Sequence, residues 1–477
     1  MLLEYTYNKR RVFNLANLEE LEKYRNIHMI GIGGVSMSGI AEILKNWGFS
    51  VTGSDTAQSE YTDALIANGI PVKIGHDLEN VAHADLVVYT AAISQEDPEL
   101  VKARDLYIPT IERGDFLGIL TKVFNDTICI SGTHGKTTTT SMVASCFLEG
   151  KLDPTIQVGA YFNQIDANYR IGNSEYFIIE ACEYVESFLK FYPKTEVILN
   201  IDNDHLDYFK DMEHVVLSFK KYVKLLPANG LLVINSDDPN CSSLSKCTEA
   251  KTITFGINNQ NANFVARNIT FNKNGFPTFD VYYNNTFYKT ISLSVTGVHN
   301  VMNALACIGV CHIYGLNKEQ IKNGLAKFTG AHRRFEYVGE FGNHVSVYDD
   351  YAHHPTEIKA IATAMRNKQY NKSWVIFQPH TYSRTKTLLQ DFAKVLTLFD
   401  NIIITDIYAA REQNTYNIHA QDLVNEIQKL GRKALYISDF NDIANFVKSN
   451  ALNNDLVLTL GAGTVTNIKD LLIENKE

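Results

Sequence analysis

The sequence has no apolar run close to the roughly 20 residues that a helix needs to span a bilayer. No apolar stretch of signal-peptide length follows its basic start at Lys9–Arg11. It also has no excess of positive charge. The formal net charge is −9, whereas nucleic-acid-binding proteins carry a basic face that neutralises phosphates. We therefore expect a cytoplasmic protein with neither a membrane nor a nucleic acid as its partner.

Cysteine pairs with metal-binding spacing are missing as well. The seven cysteines are scattered and never spaced C-x-x-C, which is typical of reduced thiols in a cytoplasmic protein. Cys307 and Cys311 lie four residues apart in an apolar helical pattern. We interpret these two as packing residues rather than metal ligands.

The length of 477 residues predicts three domains at about 150 residues each. Short apolar runs alternate with helical patterns along the chain, which indicates parallel sheets covered by helices. We predict an α/β protein with a Rossmann-like domain over 1–124, a central P-loop-type ATPase domain over 125–329 and a Rossmann-like domain over 330–477. Turn signals and strand formers in 251–295 predict an antiparallel insertion or sheet edge.

The segment Gly132–Thr137, with the letters GTHGKT, lies between a predicted strand and a predicted helix. The backbone N–H groups of such a loop converge on phosphates, Lys136 can reach the β- and γ-phosphates, and Thr137 can offer its hydroxyl to Mg²⁺. The full pattern G-x-x-x-x-G-K-[ST] would need a glycine at position 130, which is Ile130 here. The loop predicts a bound nucleoside triphosphate and leaves the reaction open.

A second glycine-rich turn, Gly31–Ser36, follows the first predicted strand. It begins like the dinucleotide-binding fingerprint, although Ser36 replaces the third small residue, and Asp55 lies where an acidic residue would meet a ribose hydroxyl. Alone, this turn is compatible with a nicotinamide-dependent oxidoreductase. Two nucleotide-type turns in successive domains suggest two different nucleotide-bearing ligands.

Candidate metal ligands follow the predicted strands of the central domain. Glu180 ends one apolar strand pattern and His205 comes just after another, and the carboxyl ends of parallel strands meet at one crevice. With the Thr137 hydroxyl they would give Mg²⁺ three protein ligands. Imidazole is an unusual ligand for so hard a cation, so His205 could equally be a structural residue.

Two polar runs lie between strands and helices of the third predicted domain, namely Asp349–Pro355 and Gln378–Arg384. Asp349 could equally cap a helix. The pair Arg333-Arg334 opens this domain and could equally be a hydrated surface pair. These runs are candidate site segments.

Six motifs in order resemble those of the Mur ligases over about residues 26–470, and they are Gly31–Gly34, Gly132–Thr137, Glu180 with Asn200–His205, Gly297–Ala304, His332–Phe335 and Asp349–His354. The resemblance implies an ATP-dependent ligase that activates a carboxylate as an acyl phosphate. Within this family, the sequence most resembles the member that joins L-alanine to UDP-N-acetylmuramate in peptidoglycan precursor synthesis. A monomer or a homodimer is expected.

The resemblance also implies a role for each matching residue. ATP would be held by Gly132, Thr133, His134, Gly135, Lys136, Thr137, Thr138, Asn300, Arg334 and Asp350. The sugar nucleotide and alanine would be held by Gly31, Gly33, Gly34, Ser54, Asp55, Tyr351, His353, His380 and Arg384. Mg²⁺ would be held by Thr137, Glu180 and His205, and the catalytic residues would be Lys136, His205, Arg334 and His353.

Three positions depart from the family pattern, because Ser36, Cys182 and Thr381 replace residues that are often Gly, acidic and Arg, respectively.

Alternative functions stay open. A related ligase could add a whole peptide to the same nucleotide sugar, and a folylpolyglutamate synthase could share the central loop. A nicotinamide-dependent oxidoreductase would not account for the segment Gly132–Thr137. A non-catalytic nucleotide sensor could be built on the same fold.

Overall fold

Three sheets organise the chain, in agreement with the predicted α/β architecture. The computed structural model describes residues 21–204, 208–342, 344–410 and 412–473. The elements pass from the first sheet to the second between Val123 and Asp126, and from the second to the third between Lys327 and Glu336. The residue at which each domain ends stays a prediction. Among the described residues, no helix is long and apolar enough to cross a membrane.

The N-terminal sheet is fully parallel, with the strand order β3-β2-β1-β4-β5. Chain order reverses beside β1, and such a switch point opens a crevice at the carboxyl ends of the strands. Its elements are β1 (Asn26–Ile30), α1 (Val35–Asn46), β2 (Ser50–Asp55), α2 (Glu60–Ala67), β3 (Val72–Ile74), β4 (Leu86–Tyr89), α3 (Pro98–Asp105), β5 (Thr110–Glu112) and α4 (Arg113–Val123).

The central sheet has ten strands in the order β15-β14-β13-β12-β11-β10-β6-β9-β7-β8. Its elements are β6 (Asp126–Ser131), α5 (Lys136–Glu149), β7 (Thr155–Phe162), β8 (Ala167–Arg170), β9 (Tyr176–Glu180), β10 (Thr195–Ile198), α6 (Met212–Val223), β11 (Leu231–Asn235), α7 (Pro239–Ser242), β12 (Lys251–Gly256), β13 (Phe264–Phe271), β14 (Pro277–Tyr283), β15 (Thr286–Ser292), α8 (Val298–Ile313) and α9 (Lys318–Lys327). The predicted antiparallel edge is formed by β13, β14 and β15. The preceding strand β12 continues the parallel part of the sheet.

The C-terminal sheet has the order β16-β17-β21-β18-β19-β20, in which only the edge strand β16 runs antiparallel to its neighbour. Its elements are β16 (Glu336–Phe341), β17 (Val345–Asp350), α10 (Pro355–Met365), β18 (Ser373–Phe377), α11 (Tyr382–Thr387), α12 (Leu389–Leu396), β19 (Asn401–Ile404), α13 (Ala420–Lys429), β20 (Ala434–Tyr436), α14 (Phe440–Asn450), β21 (Leu456–Leu460) and α15 (Ile468–Leu472). The carboxyl ends of β17 and β18 carry the two predicted polar runs.

One carboxyl group of the central sheet is costly to bury. Glu196 lies in β10, is fully buried, and neither of its carboxyl oxygens has a hydrogen-bond partner within the described residues. Burial raises the pKa of Glu196 well above its ordinary value. The folded protein therefore keeps this proton at a pH where the unfolded chain has released it. Below the pKa that Glu196 has in the unfolded chain, its burial does not make the free energy of unfolding depend on pH. As the pH rises above that pKa, the free energy of unfolding falls.

Glu196→Met is expected to raise the free energy of unfolding at pH 8 by about 1–3 kcal/mol, because it removes an unpaired buried polar group at similar volume. It should also flatten the fall in stability between about pH 5 and pH 8. Urea titrations at both pH values measure the two effects. Glu249→Met, which changes an exposed glutamate, is the control. An unchanged pH slope in Glu196→Met would contradict the assignment.

Candidate active site

The loop between β6 and α5 has the backbone geometry of a phosphate-binding loop. Gly132 has φ +131° and Gly135 has φ +86°, a region that side chains other than glycine rarely adopt. A Cβ on Gly135 would lie 2.7 Å from Asn303 Oδ1. The Asn200 side chain clamps the loop, since its Oδ1 accepts from the His134 N–H at 2.8 Å and its Nδ2 donates to the His134 carbonyl at 2.9 Å.

Lys136, the first residue of α5, is folded back over this loop. Its ammonium donates to the carbonyls of Gly132 (2.6 Å) and Thr133 (3.1 Å) and to Glu183 Oε2 (2.9 Å). Burial alone would lower the pKa of Lys136, but the Glu183 carboxylate raises it above its ordinary value, so the lysine is a fixed cation. Sequence reasoning missed Glu183 as the counter-ion. The only signal was a second acidic residue three positions after Glu180.

Two of the predicted metal ligands meet beside this loop. The Thr137 hydroxyl donates to Glu180 Oε2 at 3.2 Å, and Glu180 Oε1 accepts from the Gly159 N–H at 2.6 Å. Burial raises the pKa of Glu180. A hydroxyl and a carboxylate that converge next to phosphate donors are the oxygen ligands that Mg²⁺ takes, so the residues present fit the cation. The third predicted ligand, His205, lies outside the described residues.

A cavity of about 590 Å³ opens beside the loop, between the central and C-terminal domains, a size that suits a small-molecule ligand. The predicted ATP-binding residues on its wall are His134, Gly135, Thr138, Asn300, Arg334 and Asp350. Asn303, Phe335, Tyr348 and Lys368 also line it. The cavity therefore gathers predicted residues that lie more than 200 positions apart in the sequence.

Asp350 and Arg334 form the C-terminal wall of this cavity. Asp350 accepts backbone N–H groups from Phe335 and Ala352, both at 2.6 Å. Burial raises its pKa to about 7, although the Arg334 charge acts in the opposite direction. The Arg334 guanidinium donates to Thr137 Oγ1 at 3.3 Å, which brings a cation from the C-terminal domain to the phosphate loop.

His134 connects the phosphate loop to the C-terminal domain. Its Nε2 lies 3.1 Å from Asp202 Oδ2, and its Nδ1 lies 3.4 Å from Glu357 Oε1. Thr356 also donates to Asp202 Oδ2 at 2.6 Å. Burial lowers the pKa of His134, but the two carboxylates together raise it to about 9. A protonated imidazole therefore bridges the two domains at neutral pH.

The predicted alanine-site residues of the C-terminal domain come together next to this bridge. The ring centroids of His353 and His380 are 5.4 Å apart, and those of His353 and Tyr351 are 5.3 Å apart. Arg384 forms an ion pair with Asp204 of the central domain at 2.8 Å. Burial lowers the pKa of His380 to about 4, and burial also lowers the pKa of His353. Both imidazoles are thus neutral at pH 7.

The glycine turn of the N-terminal domain lies at the switch point of its sheet. Gly31 has φ +76°, and the Gly33 N–H donates to Asp55 Oδ2 at 2.8 Å. The neighbouring Ser54 is fully buried, and its hydroxyl donates to Glu99 Oε2 at 2.5 Å. The hydroxyl of Ser54 is therefore engaged in the interior, whereas the Gly31–Gly34 backbone faces the crevice end of the sheet.

A small cleft of about 150 Å³ joins the N-terminal turn to the central domain. The Gln157 side chain donates to the Ser36 carbonyl at 2.9 Å, and Arg113 donates to Ser36 Oγ at 3.4 Å. Glu180 and Cys182 line the other side. Sequence reasoning did not single out Arg113 or Gln157, because nothing in their local pattern indicates that the two domains meet there.

Three family models match successive parts of the chain. They are "Mur ligase family, catalytic domain" over 26–125, "Mur ligase middle domain" over 130–311 and "Mur ligase, glutamate ligase domain" over 333–463. Together they cover most of the sequence, and each falls on one of the three sheets.

Curated relatives and solved structures agree with these matches. The UDP-N-acetylmuramate–L-alanine ligase of Acetivibrio thermocellus is 49% identical over 455 residues, 95% of this chain and 97% of the relative. The enzyme of the same name from Clostridium novyi is 48% identical, over 95% of this chain and 98% of the relative. The crystal structure of UDP-N-acetylmuramate-alanine ligase MurC from Thermotoga maritima superposes with a TM-score of 0.79 at 29% identity, over 94% of this chain and 98% of that one. The chain therefore belongs to the Mur ligase family and is an ATP-dependent ligase that forms amide bonds.

Proposed function

We propose that this enzyme joins L-alanine to the carboxylate of UDP-N-acetylmuramate through an acyl phosphate, in the cytoplasm. The observation that carries the proposal is the position of Lys136 and Glu180. Glu180 lines the small cleft, which Ser36 borders just after the Gly31–Gly34 turn. Lys136 directly follows His134 and Gly135, which line the nucleotide-sized cavity. A γ-phosphate from one side and a carboxylate from the other would meet there. The names of the 44–49% identical relatives support the same substrates.

The first chemical step is transfer of the γ-phosphoryl group. A carboxylate oxygen of the sugar nucleotide forms a bond to the γ-phosphorus while the bond to the bridging β–γ oxygen breaks, and ADP leaves. Charge spreads over the transferring group, so a preorganised cation stabilises the transition state. Lys136 and Arg334 would supply positive charge. Thr137, Glu180 and His205 would hold Mg²⁺, which would supply further positive charge next to the phosphates.

The sugar nucleotide would be anchored by the N-terminal domain. The Gly31–Gly34 turn leads into the N-terminus of α1, which suits a pyrophosphate. The N–H groups of Gly31, Gly33 and Gly34 hold the turn itself, because they donate to the Ser54 carbonyl, to Asp55 Oδ2 and to the Gly31 carbonyl, respectively. Ser54 would contribute by holding the end of β2 through its bond to Glu99. The cleft bounded by Arg113 and Gln157 would then guide the carboxylate end toward Glu180.

The second step is attack by alanine, whose amine must be neutral. The His353 Nδ1 lies 3.0 Å from the carbonyl of Tyr351. Because a carbonyl only accepts, Nδ1 carries the proton and Nε2 has a free lone pair. His353 would first take one proton from the α-ammonium group. The neutral nitrogen then attacks the acyl carbon, the bond from that carbon to the phosphate oxygen breaks, and inorganic phosphate leaves with the second proton of the nitrogen. Arg384 would exchange its partner Asp204 for the alanine carboxylate, with Tyr351 and His380 beside it.

Phosphate release with UDP-N-acetylmuramate, ATP, Mg²⁺ and single amino acids tests the proposal. We expect release to depend on L-alanine and an amide product of matching mass. Equal or faster release with a peptide in place of alanine would instead identify a peptide-adding ligase. Phosphate release that does not depend on any amino acid would contradict both ligase assignments.

A further inference from the structure

Three buried thiols meet inside the central domain, away from the nucleotide cavity. Cys146 lies on α5, and Cys307 and Cys311 lie on α8, all fully buried. The Sγ atom of Cys307 lies 3.7 Å from that of Cys146 and 3.8 Å from that of Cys311. All three sulfur atoms lie within 4.8 Å of one another. Sequence analysis assigned Cys307 and Cys311 to packing because nothing indicated that Cys146, 161 positions away, would join them.

We propose that Cys146, Cys307 and Cys311 form a binding site for one thiophilic cation of the Zn²⁺ class. Zinc binds thiolate sulfur at about 2.3 Å in a tetrahedron, and the edge of such a tetrahedron is about 3.8 Å. The two short sulfur–sulfur distances in this cluster already have that length. Three sulfur atoms from two helices that lie within 4.8 Å of one another are close enough to contact one common ion.

The surroundings provide a further oxygen ligand. The carbonyl oxygen of Ile321, on α9, lies 3.6 Å from Cys146 Sγ. Helix α9 approaches closely because its Gly324 leaves no room for a side chain, and a Cβ there would lie 2.6 Å from the Cys146 Cα. Three sulfur atoms and one carbonyl oxygen would complete four-coordination. Zinc binds cysteine as the thiolate, so binding at this site would release the three thiol protons.

The site would be structural. Cys146 lies ten residues after Lys136 on α5, about 15 Å along the helix, and Cys307 lies seven residues after Asn300 on α8. The cation would therefore not touch the nucleotide. It would instead connect α5, α8 and α9, and the first turns of α5 and α8 carry Thr138 and Asn300, which line the nucleotide cavity. Because the thiols are fully buried, the ion would enter during folding.

Metal content of the full chain tests this site. The wild type is expressed in medium supplemented with zinc, and a second sample is unfolded with a chelator and refolded with Co²⁺. We expect one zinc per chain in native mass spectrometry and a thiolate-to-cobalt charge-transfer band. Cys307→Ala and Cys311→Ala should each lower metal affinity at least tenfold, because each removes one thiolate ligand. The matched control is Cys241→Ala, which changes a buried cysteine outside the cluster, and it should keep the full metal content.

Two results would overturn the proposal. One is a folded wild type that holds no zinc after expression with zinc and shows no cobalt band after refolding. The other is a metal content in Cys307→Ala and Cys311→Ala equal to that of Cys241→Ala. Circular dichroism on every sample shows whether the variants fold. If Cys307→Ala does not fold, Cys311→Ala decides, and the wild-type metal content remains a separate criterion. Ligase activity plays no part in either criterion, so this test is independent of the proposed function.

Discussion

Lys136→Ala is expected to abolish alanine-dependent phosphate release, with a loss of about 10³-fold or more in kcat, because the transferring phosphoryl group loses its fixed cation. In the structure this ammonium lies over the loop and is bound to two loop carbonyls and to Glu183. Bound phosphate oxygens would compete with Glu183 for the same ammonium. Steady-state phosphate release at saturating ATP measures the effect.

The control must separate catalysis from folding, because the variant leaves the buried Glu183 without its lysine. Breaking a buried pair in this way costs about 3–5 kcal/mol of stability. The double variant Lys136→Ala/Glu183→Gln removes both charges and should regain stability without regaining turnover. Lys221→Ala, which breaks the 2.8 Å pair with Glu186 on the domain surface, should leave turnover unchanged. Turnover by Lys136→Ala within tenfold of the wild type would rule out the assigned role of this lysine.

The architecture of the protein could be predicted from its strands, because buried parallel strands are continuous apolar runs. Leu86–Tyr89, Leu231–Asn235 and Leu456–Leu460 are mainly apolar runs of this kind, and each of them is a strand in the structure. Strands at sheet edges, or strands of mixed apolar and polar residues, could not be predicted in this way. The second half of β7 is partly exposed, and β16 has only one fully buried position. Such strands form because a neighbour supplies hydrogen bonds, which local pattern does not reveal.

Site residues could be predicted where the signal is local and not where it depends on tertiary contacts. The glycines at 132 and 135 could be predicted from the loop motif, and the structure gives both a positive φ. The partners that set the charge state of the site could not. Glu183 contacts Lys136 only because the chain turns back after β9, and Glu357 reaches His134 from another domain. Each partner is an ordinary acidic residue in its own stretch of sequence.

The change Glu180→Gln is expected to lower kcat by about 10²-fold or more and to raise the Mg²⁺ concentration needed for half-maximal rate at least tenfold. Glutamine has nearly the same shape, and its amide oxygen can still accept from the Gly159 N–H, which in the wild type lies 2.6 Å from the carboxylate. What it loses is the negative charge that a hard cation requires. Phosphate release measured over a range of Mg²⁺ concentrations checks both effects.

The pH profile gives this prediction a second readout. Burial raises the pKa of Glu180, so as the pH falls this carboxylate is protonated earlier than an ordinary one and the cation loses a ligand. Wild-type activity at limiting Mg²⁺ should therefore fall on the acid side, and excess Mg²⁺ should shift that fall to lower pH, because the cation competes with the proton.

The variant Glu180→Gln should lack this Mg²⁺-dependent shift. Glu186→Gln, at a glutamate paired with Lys221, should keep the wild-type profile. If Glu180→Gln retained both the wild-type Mg²⁺ requirement and the shift, Glu180 would not be a ligand, and the buried carboxylate would serve only to hold Gly159 and Thr137 in place.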